Sequence, residues 1–306
     1  MEFHLGSVLV IGGCGLVGHT RYVNGSISSK QDVLTALKES KTDVIINTAS
    51  PNSLIASKHL LEEVNITGTQ NVLDCAMECG IKVCVHTSSS EVVQNSYDDI
   101  IWANETWPLP ECPVDGGVYA RTKKIGEDLV LKANGKNGLL TAAIRLSTVF
   151  GEDDQFRVGT GKNLYDFIYA GNAAEGHILA AKKLVEASLS KEPVPKESRV
   201  DGEAFFLTNG DPWPFWDFSR FVAAEIGLPI ADKDLWFIPL GIAIFVLSPS
   251  ITTRMLKYTA EVRTFDITKA KQRLGYRPRV GMEEGIKRAV ASALSRSNTS
   301  EQKKST

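Results

Sequence analysis

The feature that most limits what this chain can fold into is a glycine run set directly behind a short apolar strand. Ser7–Ile11 (SVLVI) is apolar and rich in β-branched residues, the pattern of a strand buried on both faces. Gly12-Gly13-Cys14-Gly15-Leu16-Val17-Gly18 follows at once. It holds G-x-G-x-x-G through Gly13, Gly15 and Gly18, and G-x-x-G-x-x-G through Gly12, Gly15 and Gly18. Such glycines allow a tight turn and a close approach of backbone to a pyrophosphate. A ligand-free glycine turn would read the same in isolation, but the place behind a buried strand favours a dinucleotide. That fold then calls for a helix facing the phosphates, and for a second strand ending in an acidic residue about 20 residues on. Here only His19 and Thr20 separate Gly18 from Arg21-Tyr22-Val23-Asn24-Gly25. A parallel crossover takes about a dozen residues or more, so neither element fits. Arg21–Val23 is read as the remnant of the third strand. Asp32 falls near the expected count, yet it sits with Ser29 ahead of Val33, Leu34 and Leu37, and is read as a helix-start residue.

Beyond the gap, strands and helices alternate. Asp43–Asn47, Val83–Thr87 and Leu139–Leu146 read as strands. His59–Cys79 and Val118–Ala133 read as helices, the first with Leu60, Leu61, Val64, Val72, Leu73 and Ala76 at helical spacing. A further helix is expected near Met282–Leu294. The alternation predicts an α/β fold: a Rossmann-type doubly wound parallel sheet, truncated near its second strand, with a smaller C-terminal substrate lobe. Residues 1–154 are assigned to dinucleotide binding and 155–294 to a mixed region, a substrate lobe with returning sheet elements. Residues 295–306 are assigned to a disordered polar tail. The net charge of −2 supplies no field for nucleic acid, so no such partner is expected. The five cysteines form no C-x-x-C pair, which favours reduced thiols over a disulfide or metal framework. Met1–Ser7 has neither the basic start nor the apolar stretch of a signal peptide, so a cytosol-facing chain is expected.

Tyr119-x-x-x-Lys123 opens the helical pattern after the third strand, and a spacing of four puts both side chains on one face. The strand at Val83 runs into Thr87-Ser88-Ser89-Ser90, whose hydroxyls could meet that face. A free tyrosine titrates near ~10, and a neighbouring ammonium favours its phenolate. The phenol could then serve as general base toward an alcohol, or as acid toward a ketone. Each element alone has an ordinary reading, an exposed helix pair or a hydroxyl-rich strand end. Together, behind a glycine loop, they point to dehydrogenase chemistry.

The segments TSSSEVVQNSY (Thr87–Tyr97), NETWP (Asn104–Pro108) and YARTKKIGEDLVL (Tyr119–Leu131) resemble the extended short-chain dehydrogenases of the 3β-hydroxysteroid dehydrogenase group. Further matching segments are DVIINTASP (Asp43–Pro51), NITGTQNVLDCA (Asn65–Ala76), NLYDFIYAGNAAEGHILAA (Asn163–Ala181) and FDITKAKQRLGYRPRVGMEEGI (Phe265–Ile286). Within the group, the resemblance is best to the branch of decarboxylating sterol-4α-carboxylate 3-dehydrogenases. It implies catalytic residues Ser89, Tyr119 and Lys123, the serine being the second after Thr87 and 30 residues before Tyr119. It implies cofactor contacts at Gly12, Gly13, Gly15, Gly18, Ser26, Ala49, Tyr119 and Lys123, with NAD or NADP as cofactor. The implied substrate is a sterol or triterpenoid, and the resemblance leaves room for a homodimer.

The chain also departs from that group. Ser26 stands where an aspartate is usual near the adenine, and Leu146 where a proline is usual after Arg145. Gln155–Gly161 replaces a longer segment that holds a helix near the substrate cleft. With the second strand absent, nothing selects NAD over NADP. A family member with weak cofactor binding and little catalysis is therefore a competing expectation, as is another ketone or alcohol reductase. Leu235–Leu247 is apolar but shorter than the ~20 residues of a membrane span. It reads equally as a core helix or as a patch resting on a membrane surface. Lys303 and Lys304 fit a dilysine retrieval pattern, though lysine-rich ends are common. The expected location is the cytoplasmic face of the endoplasmic reticulum membrane, or the cytoplasm.

Overall fold

A computed structural model describes residues 5–12, 23–53, 56–94, 98–109, 117–149, 157–158, 162–230, 237–238 and 259–304, without the side chains of 157–158, 237–238 and 296–304. Strand β1 (Val8–Ile11) pairs in parallel with β2 (Val44–Asn47), in the register Val8 to Val44 through Ile11 to Asn47. Between them lies helix α1 (Lys30–Ser40). Ser29 Oγ caps it by accepting from Asp32 N at 3.2 Å, and Asp32 Oδ2 accepts from Ser26 N at 2.9 Å. Asp32 thus serves the helix start, as its pattern predicts. Strand β3 (Val83–Ser89) pairs with β2, while β4 (Ile100–Ala103) leaves this sheet. Strand β5 (Leu140–Leu146) pairs with β3 along its whole length, up to Ser89 opposite Leu146.

Short strands follow: β6 (Thr148–Val149), β7 (Arg157–Val158), β8 (Leu164–Tyr165) and β9 (Phe167–Ile168). Strand β10 (Glu203–Leu207) closes the main sheet in the order β1-β2-β3-β5-β10, with all pairs parallel. A second sheet has the order β11-β8-β13-β4, through β11 (Trp213–Pro214) and β13 (Arg263–Phe265). The pair β6 and β9 and the pair β7 and β12 (Phe237–Ile238) stand apart. Apart from Phe237 and Ile238, the apolar stretch 235–247 lies outside the described residues. Among the described residues, no helix is long and apolar enough to cross a membrane.

The predicted helix over 59–79 is one rod of three parts: α2 (Lys58–Glu62), a π-turn (Glu63–Gly68) and α3 (Thr69–Glu78). The periodicity shows the rod but hides the π-turn, because one inserted residue barely disturbs an apolar stripe. Helix α4 (Gly117–Ala133) crosses that turn, with Gly126 against the Asn65 carbonyl. Helices α1, α3 and α4 cover one sheet face around Ile45, Cys84 and Leu139. Helix α5 (Ala170–Leu189) packs on the other, around Val85, Ile144 and Leu184. Helices α6 (Phe215–Glu225), α7 (Thr268–Arg273) and α8 (Met282–Lys304) complete the chain. Helix α8 runs on to Lys304, through most of the stretch assigned from sequence to a polar tail. Its final part has no Pro or Gly to break the helix.

Strand β1 lies at the sheet's edge. Among the described residues no strand flanks its other side or falls between it and β2. Val8 and Val10 are 36% and 40% exposed there, where a central strand would bury them. Among the described residues, then, the second strand is absent. Val23 is not in a strand, and Arg21 and Tyr22, the rest of the expected remnant, lie outside the described residues.

The tight crossing at Gly126 yields a test. A Cβ there would stand 2.6 Å from the Asn65 carbonyl oxygen. Gly126→Ala gains up to ~1 kcal/mol of helix propensity but overpacks a backbone contact at a cost of ~1–3 kcal/mol. A net fall in the urea midpoint is expected. Gly281→Ala, where the added Cβ meets nothing within 4 Å, should leave the midpoint near wild type.

Candidate active site

In parallel strands all carboxyl ends point the same way, so the turns after β1, β2 and β3 gather at one edge. Gly12 follows β1 with φ +87°, and a Cβ on it would lie 2.7 Å from both N and Cα of Ala49. Only glycine suits that conformation and that gap. Thr48 ties the turn after β2 to the same place, since its N and its Oγ1 both donate to the Ile11 carbonyl at 2.8 Å. Ala49 N donates to Asn47 Oδ1 at 3.2 Å. Two residues expected to contact a cofactor, Gly12 and Ala49, are thus packed together. Ser26 belongs to another set of contacts, the capping turn of α1 with Asp32. Gly13, Gly15 and Gly18 lie outside the described residues.

Tyr119 and Lys123 occupy the first two turns of α4, above the end of β3. Tyr119 is half-buried and Lys123 is buried. Lys123 Nζ donates to the Thr87 carbonyl at 2.7 Å. Burial pushes the amine down to about 8, against an opposing pull from the Glu127 carboxylate. Ser88 and Ser89 differ in employment. Ser88 Oγ donates to Glu127 Oε2 at 2.6 Å. Ser89 Oγ accepts from Glu91 N at 3.1 Å, a bond that does not use its own proton. The strand expected to end at Thr87 continues to Ser89 because its pairing with β5 does not lapse.

Two histidines back the lysine. His177 Nδ1 lies 2.8 Å from the Ala173 carbonyl, so it carries the proton, and Nε2 accepts from Thr87 Oγ1 at 2.7 Å. Burial, then the Lys123 charge, then His177 hold His86 well below its ordinary value. Burial is likewise the main cause of lowering at His177. Both rings are neutral at pH 7. Asn65, from the π-turn, donates to Thr122 Oγ1 at 3.0 Å and accepts from Ser50 Oγ at 3.1 Å. Sequence reading does not single out Asn65, His177 or Glu127. Only Glu127 left a readable sign, standing four residues beyond Lys123 as Lys123 stands beyond Tyr119.

Solved structures share this architecture over most of the chain. The UDP-glucose 4-epimerase of Thermotoga maritima, crystallised with UDP-glucose, aligns with a TM-score of 0.68 at 17% identity, over 93% of this chain and 89% of that one. A double mutant of the dTDP-glucose 4,6-dehydratase of Streptomyces venezuelae, with NAD bound, gives 0.64 at 18% identity, over 87% and 77%. Such identities speak to the fold alone, which this chain shares with these epimerase and dehydratase structures. The sequence narrows the class. Residues 14–240 match the 3-beta hydroxysteroid dehydrogenase/isomerase family, and the chain belongs to it. The decarboxylating sterol-4-alpha-carboxylate 3-dehydrogenase of Saccharomyces cerevisiae is 36% identical, over 90% of this chain and 83% of its own. The human enzyme of that name is 32% identical, over 89% and 77%.

The buried lysine gives stability a definite pH dependence. Between about 8 and the ordinary 10.5, the unfolded chain holds a proton that folded Lys123 has lost. Stability from this group therefore rises with pH across that window and is lowest below it. The full excursion is worth about 3 kcal/mol. Urea unfolding of wild type and Lys123→Met should show the variant's relative stability falling by about that amount from pH 8 to 10.5. A constant difference would mean that Lys123 titrates as it does in the unfolded chain.

Proposed function

We propose that this chain is an NAD(P)-dependent oxidoreductase acting on the 3β-hydroxyl of a sterol or triterpenoid, and that its substrate is a 4α-carboxysterol that loses CO2. The observation that carries this reading is the seating of Lys123 under Tyr119, on one helix face against the hydroxyl end of β3, in a member of this family. The names of the relatives supply the substrate class. The residues present suit a dinucleotide on its nicotinamide side. Gly12 leaves the cleft clear of side chain, and the buried Lys123 offers an ammonium to the nicotinamide ribose. On the adenine side the described residues hold Ser26 and no acidic strand end.

In this reading Ser89 donates to the substrate oxygen and orients it. Tyr119 takes the hydroxyl proton, and the Lys123 charge favours the phenolate that accepts it. The bound dinucleotide supplies the hydride acceptor. Loss of the C3 hydrogen as hydride and of the hydroxyl hydrogen as a proton leaves a 3-ketone. With a 4α-carboxylate beside it, that ketone is part of a β-keto acid. The carbon–carbon bond to the carboxylate breaks, CO2 departs, and its electron pair enters an enolate that is protonated at C4. A sterol substrate also gives a use to the apolar stretch 235–247, as contact with the cytoplasmic face of the endoplasmic reticulum. That no second strand stands beside β1 among the described residues favours one further point: part of the adenine pocket is missing, so cofactor affinity is below that of a complete family member.

Purified protein given NAD+ or NADP+ with a 4α-carboxysterol should show reduced-nicotinamide absorbance and release CO2. No turnover on a panel of 3β-hydroxy sterols would overturn the reading. Tyr119→Phe keeps the ring and removes the proton acceptor. Turnover should drop by ~10²–10⁴-fold, while circular dichroism and the unfolding midpoint stay near wild type. A variant working at the wild-type rate would make Tyr119 an ordinary helix residue.

A further inference from the structure

Glu127 takes no part in the proton chemistry above, yet it is wholly buried beside it. Its Oε1 accepts from Arg145 Nη2 at 2.6 Å. Its Oε2 accepts from Arg145 Nε at 3.0 Å and from Ser88 Oγ at 2.6 Å. Ser88 and Arg145 stand opposite each other in the parallel register of β3 and β5. Partners in register project from the same sheet face, here the face that carries α4. One carboxylate therefore fastens one helix to two strands. On that helix Tyr119, Lys123 and Glu127 recur every four residues and share a face, each about 6 Å further along the axis. The strand gripped through Ser88 offers its neighbours to the site: the Thr87 carbonyl that holds Lys123, and Ser89.

We propose that Glu127 is a positioning residue of this active site, holding the helix of Tyr119 and Lys123 at a fixed height against the strand of Thr87 and Ser89, and keeping the Lys123 amine charged. The proposal rests on the reading of Tyr119 and Lys123 as the working pair. The surroundings leave this task to Glu127. His86 from β3 and His177 from α5 face the lysine as neutral rings. Arg145 from β5 is engaged by Glu127 itself. Among the charged groups described around Lys123, Glu127 is the one that favours the protonated amine.

The experiment reads that titration directly, without turnover or cofactor. Protein enriched with ¹³C and ¹⁵N in lysine is titrated by NMR, and the Lys123 signal is assigned by its loss in Lys123→Arg. In Glu127→Gln the Lys123 midpoint should fall by about one pH unit or more. In Glu127→Asp, whose carboxylate is drawn back by one methylene, it should fall by less but still measurably. If the Gln variant does not fold, the Asp variant decides by the same reading. With turnover in hand, the alkaline limb of the pH–rate profile should move down with the midpoint, and kcat should fall while KM holds. A Lys123 midpoint unchanged in the folded variants overturns the proposal. A wild-type protein that turns over no sterol overturns the proposed function instead, and the NMR titration still decides the role of Glu127.

Discussion

Three charged side chains, Lys123, Glu127 and Arg145, are buried together where α4 meets β3 and β5, and the geometry of the site depends on how they are satisfied. A buried charge is costly unless it is paired and hydrogen-bonded. Glu127 meets that demand with a two-point clasp from Arg145 and a bond from Ser88. Lys123 meets it less fully, through one carbonyl, and its lowered affinity for a proton is the mark of that deficit. The clasp holds only if Ser88 lies beside Arg145, which requires β3 to stay paired with β5 to its last residue. The same pairing carries Ser89 to the sheet's edge. Helix position, strand length and lysine charge are thus three expressions of one packing solution.

Much of this was legible in the sequence, and for identifiable reasons. Strands such as VIIN at Val44–Asn47 are buried on both faces, and their continuous apolar runs announce them. The pair Tyr119 and Lys123 was readable because helical spacing is local. The last residues of β3 were not, because Ser88 and Ser89 look like turn residues by type. What keeps them in the sheet is a partner strand more than fifty positions away. The π-turn at Glu63–Gly68 leaves no mark in the apolar stripe, and its packing against Gly126 is a contact between two helices far apart in sequence. Residues such as Asn65 and His177 enter the site only through tertiary contacts, with Thr122 and Thr87 respectively.

The short link after Gly18 is the opposite case, in which counting residues was enough. Chain length alone forbids a crossover, and among the described residues the sheet has no strand where the crossover would have delivered one. A constraint of this kind does not depend on side-chain chemistry. It therefore survives where propensity arguments fail.

That arrangement leaves the turn at Gly12 hanging from an edge strand of the sheet. β1 is bonded to β2 alone among the described strands, and its valines are partly open to water. Strands of this kind separate from the core in local openings that need far less free energy than global unfolding. A ligand that grips the turn recognises only the closed form and draws the population toward it by mass action. On the proposed function, occupancy of the dinucleotide site governs how long this strand stays docked, and with it how readily a protease finds the chain. The abundance of such a protein in a cell would follow the supply of its cofactor.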